Sequence, residues 1–288
     1  MGQKATSIKE QIDTLKSRGM ILDYDEDKIK EFLLDIGYYR LGFYWSPFEI
    51  DHLHNFKPQT RFSDIIKLHY LDVDLRNILS KYINRIEINF RTKLVYYVSI
   101  INKDSPTWFA DPNIVDVYFI NNLPRFYNEY FIKTNKPIKK HHIKYLNDKY
   151  APAWKTLEFF TFGTILKIFK NLKDEQVKLK ISKSFGIENI KKFTNLMEVT
   201  ILIRNCCAHG DVLFDFNTPK GISVIPQINL NNDRNSIYSC IKIILYFLGI
   251  ISKNRRVEMN EQINDLLMKH ENNKNLKEII TKSIKFNY

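Results

Sequence analysis

The sequence predicts an all-α protein. Three observations carry this. Glycine and proline are scarce, nine of each in 288 residues, which disfavours a turn-rich β fold. Apolar residues recur at helical spacing over residues 63–101 without one proline or glycine. A second apolar run, Ile237–Ile251, has the length of a buried helix, and Lys242 within it argues against a membrane span.

Taken in order, residues 6–18 predict a short charged helix. Asp25 opens a second one with Ile29, Phe32, Leu33 and Ile36 on its apolar positions. Residues 37–48 crowd aromatic side chains around Arg40 until Pro47 breaks the pattern. They read as a clasp between the N-terminal segment and the main bundle, with RNA stacking as the alternative. Over residues 63–101 the apolar stripe includes Leu68, Leu75, Leu79, Ile83, Ile86, Phe90 and Leu94, long enough that a kink is an option. Glu87 and Arg91, four apart, pair along it.

Residues 102–151 are the least regular, with loops at Pro106, Pro112 and Pro137. Within residues 133–149 six lysines, His141 and His142 face the single acid Asp148, so this segment is either a solvated basic face or a wall that tracks phosphates. Lys139, Lys140 and Lys144, with Arg40, are the candidate RNA contacts. Adjacent histidines point apart on a helix, which disfavours a metal site there. Pro152 suits a helix start. Glu158 then sits among Trp154, Leu157 and Phe160, placed either to bond a backbone group or to hold an arginine. Residues 173–192 predict one or two basic helices. Residues 214–231, with Pro219, Gly221 and Pro226, predict a small hairpin or irregular loop. Residues 235–251 predict a core helix and 257–284 two polar helices. The expected organisation is an N-terminal helical segment (1–60), a helical core (61–256) and C-terminal helices packed on it (257–288).

Chemistry concentrates in residues 198–211, E-V-T-I-L-I-R-N-C-C-A-H-G-D. An apolar helical run ends in Arg204, Asn205 and His209, and Gly210 can stop the helix in a left-handed conformation. Asn205 and His209 share a face; Arg204 and His209 diverge by roughly 140°. Arginine matches phosphate oxygens, histidine moves protons near neutral pH, and asparagine can orient either. Together they suit cleavage of an RNA phosphodiester by its own 2′-hydroxyl. The bland alternatives are an arginine that caps helix carbonyls and a packed histidine.

R-N-C-C-A-H resembles the R-N-x-x-x-H motif of HEPN-superfamily RNases. Residues 37–48 (G-Y-Y-R-L-G-F-Y-W-S-P-F), 75–94 (with I-E-I-N-F-R-T) and 152–163 (P-A-W-K-T-L-E-F-F-T-F-G) resemble, in the same order, blocks of the Abi-like abortive-infection proteins, the AbiD/AbiF group. The chain departs from that pattern after His209, where many relatives carry a second histidine and Trp-Asn. The resemblance implies a HEPN-like helical bundle and a metal-independent endoribonuclease acting as a phage-defence toxin. It implies Arg204, Asn205 and His209 as catalytic residues, with Glu87, Arg91 and Glu158 in support. A homodimer and control by a small noncoding RNA are implied as well.

A formal charge of +12 favours nucleic acid as partner, although a Lys-, Asn- and Ile-rich composition accounts for part of it. The three cysteines form no metal spacing and suit a reducing compartment. No signal core opens the chain, so the cytoplasm is expected. With no P-loop, G-x-G-x-x-G or carboxylate cluster, neither cofactor nor metal is expected. A non-catalytic RNA-binding scaffold is the rival reading. A DNA-binding regulator needs a polar recognition helix, and this motif helix is too apolar.

Overall fold

The computed structural model describes residues 4–286 and 288. Its helices are α1 (Ile8–Ser17), α2 (Glu26–Phe32), α3 (Tyr38–Trp45), α4 (Phe62–Ile101), α5 (Val117–Asn122), α6 (Glu129–Thr134) and α7 (Lys136–Lys144). They continue as α8 (Ala153–Thr156), α9 (Phe162–Asn171), α10 (Glu175–Lys183), α11 (Ile190–His209), α12 (Ile237–Ile251), α13 (Lys253–Met268) and α14 (Lys274–Ile279). Among the described residues extended backbone meets only in isolated bridges, so the protein is all-α. No helix among them is long and apolar enough to cross a membrane.

The axis of the fold is α4. Its 40 residues contain no helix breaker and form one continuous helix of about 60 Å. Helices α3, α9, α10, α11, α12 and α13 all pack against it. Because neighbours cover it on several sides, apolar and polar residues alike are buried along it, including Asp72, Arg76 and Arg91. Phe90, fully buried, is ringed by Phe162, Phe169, Phe185 and Phe193 at centroid distances of 5.7 to 6.3 Å. This cluster locks α9 and α11 onto the middle of α4 through ordinary aromatic contacts.

At the N-terminal end, Ser7 and Glu10 form a capping box that starts α1, and Asp25 caps α2. The clasp read from residues 37–48 forms: Tyr44 and Trp45 are buried against the bundle, while Tyr39 and Phe43 stay exposed. Residues 214–231 adopt the irregular loop rather than the hairpin. Pro219 and Pro226 supply no amide donors, and the buried Ile222, Ile225 and Ile228 are spaced by three, whereas a strand alternates its faces with period two. The segment is tied instead by scattered bonds such as Ser223 N to Asn195 Oδ1 at 2.7 Å. Only one helix, α10, precedes α11 in the basic stretch 173–192. α13 starts at Lys253, earlier than the expected 257, because Ser252 caps it directly after α12.

Candidate functional site

The helix that carries the motif, α11, starts at an Asn189 cap and buries Phe193, Leu196, Met197, Thr200 and Ile203 against its neighbours. It ends at Gly210, whose φ of +72° is the left-handed conformation that glycine adopts without a Cβ clash. Asp211 N donates to Cys206 O at 2.9 Å and Gly210 N to Cys207 O at 3.3 Å, the paired bonds of a Schellman stop. The backbone is therefore regular through His209, and no local irregularity turns Arg204 and His209 toward one another. His209 is exposed, and its side chain makes no hydrogen bond among the described residues. Arg204 is half-exposed; its Nη1 donates to Asn205 Oδ1 at 3.2 Å.

Arg204 does not cap its own helix. Its Nε lies 3.8 Å from Glu87 Oε2 on α4. The other oxygen of Glu87 accepts from Arg91 Nη2 at 2.7 Å, the i,i+4 pair that the spacing predicts. Arg91 reaches further, to the Phe160 carbonyl at 3.2 Å and toward Glu158 Oε1 at 3.7 Å. Glu158, largely exposed, thus faces Arg91; the arginine-holding role that its position allowed toward Arg204 falls to Glu87. One chain of charges runs Glu158, Arg91, Glu87, Arg204, and it joins α4, the turn after α8, and α11.

The segment after His209 is held by Asp72 and Arg76, which the sequence reading did not single out, together with Tyr44 and Arg40. Asp72 Oδ1 accepts from the amides of Leu213 at 3.0 Å and Phe214 at 2.8 Å. Its Oδ2 accepts from Tyr44 Oη at 3.0 Å and from Arg76 Nη1. Arg76 Nη1 also donates to the Asp211 carbonyl at 3.0 Å. Burial pushes the Tyr44 hydroxyl up to about 12, so it stays protonated and donates to Asp72. Arg40, a candidate RNA contact, is half-buried and donates from Nη2 to the Gly210 carbonyl at 2.6 Å, so that donor belongs to the fold. Arg40 and Arg76 therefore hold the chain just beyond the end of α11. The signal in the sequence was an acid and a base four apart inside the apolar stripe of Leu68, Leu71, Leu75 and Leu79.

Lys139, Lys140 and Lys144 lie exposed on α7, and none has an ion-pair partner among the described residues. His141 and His142 do diverge: His141 Nε2 is 2.9 Å from Asp148 Oδ2, and His142 Nε2 is 2.7 Å from Tyr127 Oη. Burial pushes the Cys207 thiol up to about 12 and raises that of Cys206, so neither supplies a thiolate at neutral pH. Among the described residues no group of three or more His, Cys, Asp or Glu is placed to hold a metal ion.

What the arrangement offers chemically is a phosphate-matching guanidinium facing a carboxylate, with an exposed imidazole five residues on and roughly 140° around the helix. A family model described as Abi-like protein matches residues 31–215, a span that takes in Arg40, the Asp72 clamp, the charge chain and the motif. No curated protein and no solved structure matches the chain. The chain belongs to the Abi-like protein family, and with it to abortive-infection phage defence.

Proposed function

We propose that the protein is a metal-independent endoribonuclease of HEPN type, acting as an abortive-infection toxin through Arg204, Asn205 and His209. The observation that carries this reading is the exposed His209 at the end of α11, five residues beyond an arginine whose Nε lies 3.8 Å from Glu87. Arg204 binds the non-bridging phosphate oxygens and stabilises the charge that grows on them. Asn205 orients the guanidinium through its Oδ1. A base takes the proton from the 2′-hydroxyl, the 2′-oxygen forms its bond to phosphorus, and the bond to the 5′-oxygen breaks as an acid protonates it. The products are a 2′,3′-cyclic phosphate and a 5′-hydroxyl.

Each chain holds one Arg-Asn-x-x-x-His motif and so supplies one imidazole for two proton transfers. A homodimer with the motif at its two-fold axis supplies both, with two arginines about one phosphate. Two chains of +12 repel, and a polyanionic RNA between them offsets this. Lys139, Lys140 and Lys144 track the flanking backbone. The family resemblance adds a small noncoding RNA as regulator.

The test is to incubate the purified protein with single-stranded RNA, with and without EDTA, and to identify the ends. Cyclic phosphate and 5′-hydroxyl ends that persist in EDTA are expected. Ends bearing a 3′-hydroxyl, or cleavage that EDTA abolishes, contradict the reading.

A further inference from the structure

We infer that the groove between the C-terminal half of α4 and the start of α8 is a stacking subsite for an unpaired base of single-stranded RNA, beside the scissile phosphate. The inference rests on RNA being the substrate and adds where a base next to the cut is gripped. The groove encloses about 420 Å³ and is lined by Tyr96 and Trp154, with Arg91, Thr92, Ser99 and Glu158 around them. Trp154 is 54% exposed and Tyr96 59%, whereas Trp45 is 5% and Trp108 0% exposed. Two large rings thus stand open on one groove in a molecule that buries its other tryptophans.

Position supplies the occupant. Arg91, in the groove, is bonded to Glu87, and Glu87 faces Arg204. Tyr96 lies nine residues beyond Glu87, roughly 14 Å along α4 and about half a turn around it, and Arg91, which bonds Glu87 and lines the groove, links the two. Nucleotides next to a phosphate held at Arg204 reach that far. A base brings a π-face for the indole and phenol rings and a polar edge for the Thr92 hydroxyl and the Glu158 carboxylate. Arg91 Nε is buried without an acceptor among the described residues, which leaves a donor unused beneath the groove. The net charge of +12 favours a polyanionic strand over an acidic peptide, and the open rings favour a base.

Trp154 is the one exposed tryptophan, and the part of the emission that Trp154→Phe removes, set against buried Trp45 and Trp108, reports the groove. Full-length His209→Ala protein, which would bind without cutting, is titrated with a labelled single-stranded RNA oligonucleotide and with an abasic strand of the same length. Anisotropy of the label gives affinity, and tryptophan emission gives stacking. The RNA is expected to quench Trp154 and the abasic strand not to. Trp154→Ala should weaken RNA binding roughly ten-fold, and Trp154→Phe should retain most of the affinity, with urea melts confirming that both variants fold. Binding without quenching, or unchanged affinity in Trp154→Ala, overturns the subsite and leaves the ribonuclease reading standing. Emission that shifts with protein concentration in the absence of RNA also overturns it, because a second copy then covers the groove. No binding of any strand overturns RNA as the ligand, and both readings with it.

Discussion

Glu87 and Arg204 face each other between α4 and α11, with the carboxylate Oε2 3.8 Å from the guanidinium Nε. Arg91 holds the second carboxylate oxygen at 2.7 Å, so the carboxylate that faces Arg204 is itself anchored. Glu87→Gln keeps the shape and removes the charge. Cleavage should fall roughly 10- to 100-fold, the scale of a misplaced catalytic group. Stability should fall by about 1–3 kcal/mol, because Arg91 is left buried with a weaker partner. Initial rates and urea melts on the same preparation check both, and an unchanged rate removes Glu87 from the site.

The clamp behind the motif separates into a strong and a weak part. Asp72 is fully buried and accepts from two amides, Tyr44 and Arg76. Asp72→Ala strands the Arg76 charge and should cost about 3–5 kcal/mol. Arg40→Ala removes one bond to a carbonyl that water can reach, and should cost about 1 kcal/mol. Equal losses in chemical denaturation would show that the two hold the chain alike.

Acid should weaken the fold through His69. This side chain is 7% exposed, packed edge-on against Tyr44 and Tyr70, and burial, with Arg40 and Arg76 nearby, lowers its pKa to about 4; Asp35 opposes the shift. The folded protein keeps it neutral where the unfolded chain protonates it below its ordinary 6.5. Its contribution is therefore complete above 6.5 and is lost as the pH falls through 4. Between pH 7.5 and 5 this amounts to roughly 2 kcal/mol. Urea midpoints of the wild type should drop across that interval more than those of His69→Gln. Parallel slopes would assign the acid sensitivity elsewhere.

Assembly is tested by mixing. Neither Arg204→Ala nor His209→Ala protein should cut RNA alone. A mixed dimer lacks one arginine and one histidine at the shared site and keeps one of each, so some activity should return. Light scattering comes first, since a strictly monomeric particle that cuts at full rate rules out a composite site.

Local features were legible in the sequence and distant ones were not. The absence of breakers over residues 63–101 gave α4, Gly210 gave the end of α11, and the four-residue spacing gave the Glu87–Arg91 pair, since each is settled within a turn or two of chain. The clamp escaped notice because Asp72 meets Leu213 and Phe214 across about 140 residues, and no spacing encodes that. Glu158 and Glu87 offered the same carboxylate to Arg204, and only packing decides between them. For residues 214–231 the sequence left hairpin and loop open, and the burial of Ile222, Ile225 and Ile228 at a spacing of three decides for the loop.

Chemistry and packing at His209 are separated by the turnover of one defined RNA by wild-type and His209→Ala protein, with matched urea melts. As an exposed residue without a side-chain hydrogen bond among the described residues, His209 should contribute within about 0.5 kcal/mol to stability. Superimposable melts and a loss of turnover of at least roughly 100-fold are expected. A folded His209→Ala protein that cuts the RNA at the wild-type rate would contradict a chemical role for His209.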